Sequence, residues 1–108
     1  MIRNGIDILN IERFKKLNQN IKDRIFSKKE LNFKDIRKLA GIFALKEAFF
    51  KALDIKVEWL EIEVLYKKTG KPYFNISNKL NKRINSIDCS LSHEDNYVIA
   101  SVVLEIKS

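Results

Sequence analysis

The chain is poor in the residues that make linkers, staples and membrane anchors. It has three glycines and one proline in 108 residues, which leaves no linker and no low-complexity stretch. One domain spanning residues 1–108 is the expectation, and no internal repeat divides it. A single cysteine, Cys89, can neither close an internal disulfide nor make a zinc site. The opening Met1–Asp7 carries no apolar run of leader length, and no segment approaches a bilayer span. These absences predict a cytoplasmic protein with no membrane partner. The 45% hydrophobic content argues against disorder.

What the chain does have is basic charge, unevenly placed. The formal net charge is +7; residues 1–56 hold 14 Lys/Arg against 7 Asp/Glu, and the remainder 7 against 7. A one-sided basic field suits nucleic acid, phosphates or an acidic protein, and it equally suits a plain solvated surface.

Periodicity divides the chain in two. Residues 2–8 read as a strand, Asn10 as the cap of a helix over roughly 11–18, and Ser27-Lys28-Lys29-Glu30 as a capping box. Residues 35–53 are the strongest helical signal, dense in Ala, Leu, Phe and Lys. Beyond residue 56 the period shortens to two. Leu60, Ile62, Val64 and Tyr66 alternate with Glu61 and Glu63; Thr69-Gly70-Lys71 turns the chain. Ser77 caps a short helix near 78–83. Strands 86–93 and 97–106 join around Glu94-Asp95-Asn96, with Val98, Ala100, Val102, Leu104 and Ile106 on one face. The pattern predicts an α+β fold, a mostly antiparallel sheet packed on one long helix.

Two carboxylates fall where apolar residues are expected. On the helical wheel Glu47 lies within about 40° of Ile36, Ala40 and Phe43, with Lys51 one turn on. That admits an ordinary i,i+4 ion pair, or a ligand carboxylate on a rigid helix with a lysine for phosphate. Asp7, between Ile6 and Ile8, admits a turn-forming role or a second ligand. All-oxygen ligation by few protein groups is the habit of Mg²⁺, which takes phosphate oxygens from its substrate. His93 closes Ser90-Leu91-Ser92-His93 and reads as structural or as a phosphate contact. Gly70-Lys71-Pro72 is a basic turn, too short for a P-loop.

These places, taken in order, resemble one family. Gly5-Ile6-Asp7-Ile8 with Ile11-Glu12-Arg13-Phe14, then Phe26-Ser27-Lys28-Lys29-Glu30, are similar to the opening motifs of the holo-acyl-carrier-protein synthases, the short AcpS-type 4′-phosphopantetheinyl transferases. Leu39-Ala40-Gly41 and Phe43-Ala44-Leu45-Lys46-Glu47-Ala48-Phe49-Phe50-Lys51-Ala52-Leu53 resemble their signature helix. Gly70-Lys71-Pro72 and Ser90-Leu91-Ser92-His93 complete the set, which spans essentially the whole chain.

The resemblance implies a 4′-phosphopantetheinyl transferase-like fold. It also implies transfer of phosphopantetheine from coenzyme A to a serine of apo-acyl carrier protein, releasing 3′,5′-ADP, in fatty acid biosynthesis. It implies Asp7 and Glu47 as Mg²⁺ ligands and Glu47, Lys51 and His93 as catalytic residues. Lys46, Lys51, Gly70, Lys71, Pro72, Ser92 and His93 would contact coenzyme A, and Arg13 would face the carrier. Family members are typically homotrimers with active sites between subunits.

The chain departs from the family twice. Ile42 stands where an arginine usually follows Ala-Gly, leaving Lys38 and Lys46 as nearby cations to stand in. Asp54-Ile55-Lys56-Val57 replaces a glycine-rich turn. Both departures keep open a coenzyme A-binding protein without catalysis. The interleaved basic and aromatic residues also fit a small nucleic-acid-binding domain. Against that, Phe43, Phe49 and Phe50 fall at core spacing and no reader motif is present, so no nucleic-acid partner is expected.

Overall fold

A computed structural model describes residues 1–108. The elements are β1 (Ile2–Asn10), α1 (Ile11–Phe14), α2 (Gln19–Ile25), α3 (Lys28–Leu31), α4 (Ile36–Ala52), β2 (Ile62–Tyr66), β3 (Pro72–Ile76), α5 (Asn78–Asn81), β4 (Ile84–Glu94) and β5 (Tyr97–Ile106). They form an α+β fold with two antiparallel sheets, β1-β5-β4 and β2-β3, around the one long helix α4.

β5 is central in the larger sheet because it can bury a full face. Val98, Ala100, Val102 and Leu104 are wholly buried against α4, while Ile99 and Val103 point outward. Glu94 pairs with Tyr97, so Asp95-Asn96 is a two-residue turn; Asp95 takes a φ of 51°, the left-handed region that Asp tolerates. α4 contacts both sheets and is buried nearly all round, which explains its lack of a clean polar face.

Gly5 shows how closely β1 and α4 approach. A Cβ there would lie 1.9 Å from the Ala48 carbonyl oxygen, so no side chain fits without moving one element. Gly5 and Asp7 pair with the buried Val102 and Ala100, which puts Asp7 on the helix-facing side of β1.

The caps fall as the side chains dictate. The Asn10 side chain accepts from the Glu12 amide (2.9 Å), Ser27 and Glu30 close a reciprocal capping box, and Ser77 opens α5. Two expectations change. The first helix ends at Phe14, and the chain re-caps at Asn18, whose side chain accepts from the Ile21 amide (3.0 Å) to open α2. Leu60 is not a strand residue. Glu61 reaches back to the Glu58 amide (2.9 Å), winding Trp59–Glu61 into a 3₁₀ turn that leaves Leu60 57% exposed. No helix is long and apolar enough to cross a membrane.

Candidate active site

Asp7 from β1 and Glu47 from α4 line one cavity of about 330 Å³, together with Asn10, Arg13 and an apolar wall that includes Leu17 and Phe43. Both carboxylates are half-buried. The Glu47 carboxyl is pushed above its ordinary value, first by burial and then by the nearby Asp7 charge, with Lys51 opposing. Two oxygen-donor side chains sharing a cavity, with the Asp7 charge near enough to act on Glu47, suit a hard divalent cation that keeps waters or phosphate oxygens in its remaining positions.

Lys51 does not form the i,i+4 ion pair with Glu47. Its ammonium reaches across to β1 instead, donating to the Ile6 carbonyl (3.0 Å) and pairing with Asp7 (3.2 Å). Arg13, in α1, joins the same cavity because the Asn10 cap turns the chain directly from β1 into α1.

Lys46 is elsewhere, and its expected coenzyme contact is corrected. Its side chain is fully buried, as is that of Glu30, and the two meet at 2.7 Å. The ammonium also donates to the Ile25 carbonyl (2.7 Å), while Glu30 accepts from the Ser27 and Val64 amides. Burial lowers the Lys46 pKa and Glu30 partly restores it. With every polar atom of the pair engaged inside the core, Lys46 ties α4 to α3 and β2 and reaches no ligand.

The second cavity, about 610 Å³, is a cleft among the start of α4, the β2–β3 turn and the end of β4. Gly70, Lys71, Pro72 and His93 line it. Gly70 has a φ of 90°, which its turn requires. Lys71 donates to the Cys89 carbonyl (2.9 Å) and pairs with Asp88 (3.1 Å), holding that carboxyl below its ordinary value. Ser92 does not join them. It pairs with Ile99 on the outer face of the sheet, whereas Leu91 and His93 pair with the buried Ala100 and Val98 on the helix side.

The cleft also holds Lys38, one of the two cations expected to stand in for the missing arginine, and four residues not placed at a site by the sequence: Asp35, Arg37, Tyr66 and Cys89. Tyr66 carried a signal, being the one phenol in an otherwise aliphatic alternation; burial pushes its pKa up to about 12, so it stays a neutral hydroxyl. Burial likewise raises the Cys89 thiol, which donates to the Pro72 carbonyl (3.3 Å) and is no ready nucleophile. The glycine-less segment after α4 has its own logic: Leu53, Ile55 and Val57 pack on the core, tethering a stretch that glycines would loosen.

A carboxylate cavity and a separate basic cleft, set on an α+β scaffold with one central helix, define a protein built to handle a phosphorylated substrate. The 4′-phosphopantetheinyl transferase superfamily model matches residues 3–102, and the chain belongs to that superfamily. It is 38% identical over 117 residues to the holo-[acyl-carrier-protein] synthase of Clostridium botulinum strain Alaska E43, covering 94% of this chain and 95% of that protein. It is 34% identical to the synthase of Campylobacter hominis, over 94% of this chain and 96% of the relative. Two crystal structures are similar at 32% identity. The synthase of Neisseria meningitidis has a TM-score of 0.84, covering 97% of this chain and 99% of that one. The synthase of Helicobacter pylori, in complex with coenzyme A, has a TM-score of 0.83, covering 97% and 100%.

Proposed function

We propose that this chain transfers 4′-phosphopantetheine from coenzyme A to a serine of apo-acyl carrier protein in fatty acid biosynthesis, releasing 3′,5′-ADP. The observation that carries the reading is the meeting of Asp7 and Glu47, from two different rigid elements, in one cavity beside Lys51. The curated relatives are holo-[acyl-carrier-protein] synthases over nearly their whole length, which supports it.

In the reaction the carrier's serine oxygen attacks the phosphorus bearing the pantetheine arm. The bond to the bridging oxygen of the diphosphate breaks, and 3′,5′-ADP leaves. Asp7 and Glu47 would hold Mg²⁺, which supplies charge neutralisation on the diphosphate oxygens. Lys51 turns from Asp7 to the leaving phosphate, a short swing for a side chain already paired with one of the two carboxylates. Glu47, or a water it orients, takes the serine proton. Arg13 faces the acidic carrier. Gly70, Lys71, Pro72 and His93 line the coenzyme site, and His93 keeps the catalytic role that the family resemblance implies.

The two cavities of one chain share no lining residue, and this favours a homotrimer in which the carboxylates of one subunit work beside the cleft of the next. The outer face of the larger sheet suits such an assembly, because Ile2, Ile6, Ile8, Ile99 and Val103 are exposed on it. A cytoplasmic location and one domain over residues 1–108 belong to the same reading.

The decisive experiment mixes the protein with apo-acyl carrier protein, coenzyme A and Mg²⁺ and weighs the carrier. A phosphopantetheine adduct is expected; none with any divalent metal overturns the reading. Sedimentation of the protein should give three times the chain mass.

A further inference from the structure

We propose that Lys38 binds the 3′-phosphate of coenzyme A, standing in this chain for the arginine that Ile42 replaces. The inference rests on the cleft being the coenzyme site. Ile42 is wholly buried and offers the cleft nothing, and Lys46 is locked against Glu30. Lys38 lies one helical turn before Ile42 and lines the cleft.

The ammonium of Lys38 is held without being neutralised. It sits 4.7 Å from the centroid of the Phe33 ring and 4.2 Å from that of Tyr66. Two aromatic faces fix a cation while leaving its charge available to an anion. None of the chain's ion pairs includes Lys38. Of the other cations of the cleft, Lys71 is paired with Asp88, and Arg37 is turned to the Asp95 carbonyl (3.3 Å), a neutral acceptor that orients the guanidinium without cancelling its charge. Lys38 is therefore an uncancelled cation of the cleft that two rings already hold in place.

The diphosphate is assigned to the other cavity, with Asp7, Glu47 and Lys51. The charge left for the cleft is the phosphate monoester, which carries between one and two negative charges at neutral pH. A lysine binds such a group as a point charge and needs no bidentate geometry.

The test is calorimetric titration of 3′,5′-ADP and of adenosine 5′-monophosphate, which lacks the 3′-phosphate, into the wild type, Lys38→Met and Lys38→Arg. The wild type should prefer 3′,5′-ADP. Lys38→Met should weaken 3′,5′-ADP by about tenfold and leave the monophosphate nearly unchanged, as expected for one charge-assisted contact. Lys38→Arg should keep most of the affinity. Equal weakening of both nucleotides, or no weakening of either, overturns the assignment while leaving the cleft as the coenzyme site. If the wild type binds neither nucleotide, the cleft reading falls and takes the assignment with it; the carrier mass assay then decides separately whether the transferase reading stands.

Discussion

Helix α4 contributes a lysine to each of two carboxylate pairs, and the two sides of the helix treat the same chemistry in opposite ways. Lys46 and Glu30 meet at 2.7 Å with both side chains fully buried. Lys51 and Asp7 meet at 3.2 Å with the lysine 55% exposed and the aspartate 14%. Five residues turn the helix by about 140°, enough to send one lysine into the core and the other to the exposed edge of β1. The buried pair is closed: its oxygens and hydrogens are spent on Ser27, Ile25 and Val64, so neither partner can leave without stranding the other. The open pair is held loosely enough to exchange partners. Identity of residue does not separate structure from function here; desolvation does.

The sharpest way to break this comparison is to remove each lysine in turn. Lys46→Met strands a buried carboxylate and should cost about 3–5 kcal/mol in urea unfolding. A midpoint like that of the wild type would mean the pair is dispensable. Asp7→Asn should leave the fold intact and lower turnover on the order of 100-fold, because the proposed metal site would lose one of its two charged ligands. Near-normal turnover would remove Asp7 from the site. Lys51→Met should change stability by less than about 1 kcal/mol, as exposed pairs do, while lowering kcat by roughly tenfold. A stability loss as large as that of Lys46→Met would erase the difference between the two sides.

The open side was more legible in the sequence than the closed one. Asp7 and Glu47 stand out because each interrupts an apolar period on its own element, and that interruption is visible in one dimension. Lys46 reads as a coenzyme contact only through the family resemblance and its nearness to Ile42. Its true partner, Glu30, lies in α3 and was readable only as half of a capping box. Only the packing of α3 and β2 on α4 shows that the same carboxylate also accepts from Lys46 and Val64. The α+β class, the long helix and the β4–β5 hairpin followed from local period and turn chemistry. Leu60 misled because its place in the alternation was right, while the Glu58–Glu61 capping box, a local hydrogen bond, overrode it. The cleft was half-legible: its glycine turn and histidine were visible, but Lys38 and Tyr66 meet only once β2 lies beside the start of α4.

The smallest effect tests whether the open side is costly to keep. Folding raises the Glu47 pKa above its unfolded value, chiefly through burial, so folding favours the protonated acid. Ionised Glu47 therefore lowers stability at any pH above its folded pKa. That cost fades as pH falls through the folded pKa and vanishes below the unfolded one. Glu47→Gln carries no charge at any of these pH values. With chelator present at pH 7 it should be slightly more stable than the wild type, by less than about 1 kcal/mol once solvent screening of a half-exposed group is allowed for. The gap should close as pH falls toward the ordinary carboxylate range. Saturating Mg²⁺ should reverse its sign, because only the wild type would gain the full binding energy of the metal. Thermal unfolding of both proteins across that pH range, with and without Mg²⁺, reads all three. A gap of constant size would mean that Glu47 is not strained by its place on α4. A gap that ignores Mg²⁺ would mean that the cavity does not hold the metal.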